Sequence, residues 1–391
     1  MTSKPSTSQQ ARLVNALAGG WVADAAALGL HWVYSSQRIA EVGGSAPEFL
    51  PPKAEYYAHG VGYFAHEGKV VGDVSHYGAA TAVLTESLLF REGRFGVRDY
   101  QRRFRDYFGP GGGWCGYIDN PTRITLANLD RIEQEAIDQG LSDAGSSLNE
   151  EQRRILVQKV LPYTRRMSGD SLADPIRRAI SLTYTEEDVQ EAGVQLALAI
   201  DRHLRADSGA DDQQLPAVSK LPPLVACYLD DPELMEVVES AVRVTNHNDR
   251  AVAWARYCTR LLAALFQGEG IETALEKAGP EAPDREAIRR AQQLAPLNPV
   301  TVGDQFGRTC YLHEAVPVIV HILTHAESFA EAVRANILCG GDSCGRAWII
   351  GPAMAAIHGA GGVRGIPLSW LAQVNDAAAI FSDIENLVAE D

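Results

Sequence analysis

Residues 13–34 form the longest apolar stretch of the chain, and an acid, Asp24, stands in its middle. A membrane span needs about 20 apolar residues with its charges kept out of the centre. Asp24, Asn15, His31 and several glycines weigh against that reading, and a helix buried in a protein core is expected instead. Alanine and glycine are dense in Ala16-Leu17-Ala18-Gly19-Gly20 and again in Met354-Ala355-Ala356. Small side chains let helix backbones approach closely, so both segments are expected at a buried centre. Asp188 to Arg205, Pro232 to Val244 and Ala251 to Phe266 carry apolar residues at three- and four-residue steps, with few strand-like alternations. The expected fold is all-α, a compact multi-helix body.

Of the 391 residues, the first ten are polar and read as a disordered tail, leaving residues 11–391 as one domain. The candidate breaks at 143–149, 207–212 and 279–283 are short and flanked by helical pattern, so each reads as a loop. Six cysteines at irregular spacing, mostly in apolar runs, suit reduced core residues and a cytoplasmic protein. A formal charge of −15 argues against nonspecific attraction to nucleic acid or an anionic membrane. One nucleotide ligand is still compatible with it.

The segment from Ile337 to Ala347 carries the densest chemical signal. Gly340 and Gly341 deliver Asp342 to the start of an apolar helix, where it reads either as an N-cap or as a pocket acid. With Ala335-Asn336 before it and Gly351 to Ala360 and Gly365 to Trp370 after it, the run resembles the C-terminal signature of the ADP-ribosylglycohydrolase family. Three further stretches resemble the family in its order. Gly20 to Ala27 is similar to its opening Gly-Asp-Ala helix, with Ala23 for the second glycine. Ser75-His76-Tyr77-Gly78 and Thr85-Glu86-Ser87-Leu88-Leu89 stand where it has Thr-Asp-Asp-Thr and an Ala-Glu-Ser-Leu helix. Thr245 to Asp249 resembles its Thr-His segment.

The resemblance implies an all-α fold, a pair of magnesium ions, and hydrolysis of a glycosidic bond to ADP-ribose or a related ribosyl nucleotide. Its partner would be an ADP-ribose-like small molecule or an ADP-ribosylated substrate. This sequence departs from the family at the ligands. The four acid positions read His76, Tyr77, Asp342 and Cys344, Gly345 replaces the last threonine, and His31 replaces the glutamate seven residues after Asp24. His31-Trp32 and His76-Tyr77-Gly78 resemble the J-type crystallin branch of the family. Magnesium prefers oxygen ligands that include carboxylates, so no magnesium site is expected, and no metal ligand is assigned. His31, His76, Cys344 and Asp342 form a donor set better suited to zinc, although nothing in their spacing requires it.

The candidate catalytic residues are therefore Asp342, His76 and His31. The candidate binding residues are Ser75, Tyr77, Gly340, Gly341, Cys344, Arg346 and Trp32, with Arg346 read either as the diphosphate contact or as a surface arginine in an ion pair. Cys344 reads as a nucleophile only beside a base, and otherwise as a small core filler. Tyr117 to Arg123 and Asp211-Asp212 are candidate pocket walls or plain helix starts. A hydrolase on a ribosyl bond is the leading functional reading. A nucleotide-binding pseudoenzyme and a crystallin-like structural protein are the alternatives.

Overall fold

The computed structural model describes residues 7–144, 148–204 and 207–389. Within them the chain is helical with no β-strand, only isolated bridges such as Val33 with Gly62. Residues 7–10 belong to the first helix, Thr7–Ala27, so the ordered body starts earlier than the polar composition suggests. Residues 1–6 lie outside the described residues.

The long apolar stretch packs against helix Ser343–His358 to make the central pair of the fold. It is long and apolar enough to cross a membrane by length and composition, yet Leu17, Val22, Ala23, Ala26 and Ala27 are all buried within the protein. The small residues explain how the pair fits. A Cβ on Gly351 would collide with the Gly19 carbonyl oxygen, and one on Gly20 would press 2.8 Å from the Trp348 ring. Trp21 meets the same tryptophan edge-on, ring centroids 5.3 Å apart. Helices His76–Phe90, Asp249–Phe266, Leu312–His325 and Phe329–Cys339 contribute to the surrounding core.

A second, smaller cluster forms away from this centre. Ile137, Leu156, Val160, Ile176, Ile180, Val194, Leu196 and Ile200 pack together from helices Asn120–Ala144, Glu150–Thr164, Ala173–Ser181 and Glu187–His203. The main cluster runs from Leu13 to Val388 and draws on both ends of the chain. Of the candidate site residues Tyr77 and Cys344 belong to it, where the helices Thr7–Ala27, His76–Phe90 and Ser343–His358 converge.

Candidate functional site

Asp342 ends the glycine corner and starts a helix, and its side chain does two things. Oδ1 accepts the Gly345 N–H at 3.0 Å, an N-cap, while Oδ2 accepts the Tyr77 hydroxyl at 2.6 Å. The cap reading of this acid holds, and its second oxygen anchors Tyr77. The corner needs its glycines: Gly340 has φ 80° and Gly341 φ 67°, and a Cβ on Gly341 would strike the Arg308 carbonyl oxygen. Their amides are already engaged, Gly340 with Ile337 O at 2.9 Å and Gly341 with Val33 O at 2.8 Å. The two glycines shape the site and have no free amide for a ligand.

Arg346 is corrected from phosphate contact to internal clamp. It is fully buried and donates to Asn336 Oδ1 at 2.8 Å, Asn336 O at 3.2 Å and Gly340 O at 2.6 Å. A guanidinium has five donors in a planar fork, and here most of them tie the corner to the preceding helix. Asn336 Nδ2 completes the tie by donating to Ser343 O at 2.7 Å.

Cys344 and Ser75 are likewise occupied. The Cys344 thiol points at the Asp24 carbonyl oxygen, 3.7 Å away, and burial together with the Asp24 and Asp342 charges pushes its pKa well up. That leaves no thiolate to act as nucleophile. Ser75 caps helix His76–Phe90 through the Tyr77 N–H at 3.1 Å and donates its own hydroxyl to Asp24 Oδ2 at 3.0 Å. Asp24 also accepts the Ser75 N–H and the Trp348 indole N–H, each at 3.2 Å, so the acid of the long apolar helix fixes three segments together. Burial raises its pKa despite these bonds.

The imidazoles are arranged differently. His31 Nδ1 accepts the Cys344 N–H at 3.1 Å and stands 3.8 Å from Asp342 Oδ1, so the ring proton sits on Nε2, which has no partner among the described residues. Burial, with the neighbouring His66 and His76, holds its pKa well below the usual value and keeps it neutral. His66, 5.1 Å away by ring centroids, is pushed down to about 3 by burial and by His76. His76 Nε2 approaches Asp119 Oδ2 at 3.3 Å without hydrogen-bond alignment. Burial alone would raise Asp119, but His76 and Thr122 outweigh it and hold the carboxylate low.

His31 Nε2, Trp32 Nε1, His66 Nε2, both ring nitrogens of His76 and Asp119 Oδ2 are all buried with no hydrogen-bond partner among the described residues. Trp32 closes the group outward. Its φ of 65° is unusual for a bulky residue, and the turn is held by its N–H to Gly341 O at 2.8 Å and by Tyr63 N to Trp32 O at 3.2 Å. Its ring meets Tyr117 at 5.0 Å and Tyr63 at 6.0 Å, and Tyr63 is exposed.

The residues at the family's magnesium positions do not fit that ion. Tyr77 donates its hydroxyl to Asp342, Cys344 is a buried thiol, and His31 and His76 offer nitrogen to an ion that prefers oxygen. The zinc alternative also lacks its geometry: no three or more His, Cys, Asp or Glu side chains among the described residues are set to hold a metal ion.

Sequence reading named Asp342, His31, His76, Tyr77 and Trp32, which the structure places next to one another, and Asp119 lies in its segment Tyr117 to Arg123. It missed His66, whose only signal is a lone histidine in a loop between Gly62 and Gly68. It also missed Lys220, readable as the one charge in the apolar run Leu215 to Val225. Asp212, from the other flagged wall, is pushed up to about 6 by burial and accepts Asn246 Nδ2 at 3.1 Å.

Comparison with known proteins agrees with this architecture. Crystallin J1A of Tripedalia cystophora is 26% identical over 381 residues, covering 95% of this chain and 94% of its own. Crystallin J1B of the same animal is 25% identical over 368 residues, covering 92% and 90%. A solved structure titled as an ADP-ribosylglycohydrolase-related protein complex superposes with a TM-score of 0.56 at 17% identity, spanning 98% of this chain and 99% of that one, a likeness of all-α fold. The family model described as ADP-ribosylglycohydrolase matches residues 5–219 and 202–391, and with the corner, the central helix pair and the motif order in place, the chain belongs to the ADP-ribosylglycohydrolase family.

Proposed function

We propose that this chain is a ribosyl hydrolase that works without a dimagnesium centre, taking an ADP-ribose-like nucleotide or an ADP-ribosylated substrate in the cytoplasm. The observation that carries this reading is the set of partnerless buried polar atoms on His31, Trp32, His66, His76 and Asp119 beside Asp342. Each such atom costs on the order of 1–3 kcal/mol in a closed core. A ligand site retains them because the ligand completes their hydrogen bonds.

Acid and base roles follow from the opposed environments of the carboxyls. Asp119 is held low with its charge beside His76, while burial pushes Asp342 towards its protonated form even against the Tyr77 bond and the Arg346 charge. His76 takes a proton from the attacking water, and Asp342 gives one to the departing group as the bond to ribose breaks with positive charge on the sugar. Without two divalent charges the barrier is several kcal/mol higher than a metal site would give, so turnover is slow.

A structural role is the second reading, favoured by the crystallin relatives and by the burial of Asp342, His31, His76 and Tyr77. Calorimetric titration of chelator-treated protein with ADP-ribose, alone and with magnesium or zinc, separates the two. Binding that needs no metal supports the proposal. Binding only with metal overturns the metal-free mechanism, and no binding under any condition favours the structural role.

A further inference from the structure

The turn between helices Val97–Phe108 and Asn120–Ala144 sets a ring at the outer edge of the imidazole group. Trp114 N donates to Tyr107 O and the Trp114 indole N–H to Tyr117 O, both at 3.0 Å, which closes the turn on itself. Tyr117 then meets Trp32 at 5.0 Å, His76 at 5.5 Å and Tyr63 at 5.7 Å between ring centroids. Tyr63 is 58% exposed, so this edge lies at the protein surface, within reach of solvent.

Two cations flank that edge. Arg123 is exposed, with its guanidinium carbon 5.8 Å from the centre of the Tyr117 ring and Nη1 donating to Ile118 O at 2.8 Å. The Lys69 ammonium stands 4.3 Å over the Trp114 ring on the other side of the turn. Neither has an acidic partner among the described residues, in a chain with 50 Asp and Glu against 35 Lys and Arg. The neighbouring helix Val97–Phe108 shows the contrast, because its Arg98, Arg102, Arg103 and Arg105 are all paired with acids. Deeper in the site the cations are spent: Arg346 is bonded to Asn336 and Gly340, and Arg308 to Asp304, Val300 O and Cys339 O.

We infer that Arg123 is the anion contact of this site, taking a phosphate of a ribosyl ligand at the rim while the sugar lies against the imidazole group, with Lys69 adding attraction across the turn. The inference rests on the imidazole group being the ligand-facing side. Charge sets the orientation. Inside stand neutral imidazoles and the ionised Asp119, which repels a phosphate but accepts a sugar hydroxyl at its partnerless Oδ2. Outside, a guanidinium with five donors and one of them committed has a free edge for phosphate oxygens.

The test is calorimetric titration of the full chain with ADP-ribose and with adenosine, which keeps the ribose and lacks phosphate. Arg123→Gln should weaken ADP-ribose about 10-fold, the scale of a charged hydrogen bond, and leave adenosine unchanged. Lys69→Gln should weaken ADP-ribose by only about 3-fold, as an exposed charge does. Arg123→Lys should recover part of the loss, and added salt should weaken ADP-ribose more in the native protein than in Arg123→Gln. The salt response decides the matter where adenosine binds too weakly to measure. Native ADP-ribose binding that Arg123→Gln leaves intact overturns the inference and spares the site itself. Equal loss of both ligands, or a salt response unchanged by the substitution, also overturns it, since Arg123 would then only be holding the Tyr117 turn. No binding of either ligand by the native protein removes the inference and the proposed function together.

Discussion

Around the glycine corner, Arg346, Asn336, Ser343 and the backbone of Gly340 and Gly341 exchange hydrogen bonds until few donors are idle, Arg346 Nη1 and Ser343 Oγ among them. A few ångströms away His31, Trp32, His66, His76 and Asp119 bury polar atoms that nothing in the described protein satisfies. Both regions are equally enclosed, so burial alone does not separate them. What separates them is the degree of satisfaction, with two idle atoms in the corner against six around the imidazoles among the described residues. A buried polar group that is fully paired rigidifies the fold, whereas one left unpaired is a cost that folding does not explain. The corner is therefore read as scaffold and the imidazole group as the ligand-facing side, with Asp342 belonging to both.

The comparison breaks most visibly at Gly341. Gly341→Ala forces a Cβ into the Arg308 carbonyl at a positive φ, and a loss of roughly 3 kcal/mol or more is expected in urea unfolding. Unchanged stability would show that the corner relaxes and is not the rigid half. Asp342→Asn is the next test, because this residue joins the two regions. Its amide keeps the acceptor for the Gly345 N–H and removes the proton-donating acid. Stability should change by about 1 kcal/mol or less while any ribosyl hydrolysis falls roughly 100-fold. Equal activity in that protein would remove Asp342 from the chemistry. The smallest effect is expected from His66→Leu, which replaces a ring whose Nε2 has no hydrogen-bond partner among the described residues by an apolar side chain of similar volume. Stability should hold or rise by about 1 kcal/mol while ADP-ribose affinity drops roughly 10-fold. A clear loss of stability would place His66 in the scaffold instead.

The crystallin relatives sharpen the same contrast. They match nearly the whole chain, so the likeness is not confined to one motif, but their names say nothing of the buried imidazoles. Tyr77 illustrates how a changed motif changes the site. Its phenol, pushed well up by burial and by the Asp342 charge, is a permanent donor, and it clamps the acid that remains. Where the sequence resemblance implies a family acid, a hydrogen-bond donor to Asp342 stands instead.

Much of this was legible in the chain itself. Three- and four-residue periodicity gave the helices, the small residues of Ala16 to Gly20 and Met354 to Ala356 marked a buried centre, and Gly340-Gly341-Asp342 encoded a positive-φ corner followed by a cap. Replacement of carboxylates by His76, Tyr77 and Cys344 told of a donor set unsuited to magnesium. These are local properties, set by a residue's own backbone freedom and its neighbours within one helical turn. The inward turn of Arg346 and the idle nitrogen of His66 were decided only when distant segments packed. So were the amine of Lys220 against Thr245 and the contact of His31 with Cys344, 313 positions apart. Whether a polar atom is paired depends on which groups from elsewhere in the chain reach it, and that is a property of the folded packing rather than of any stretch of sequence.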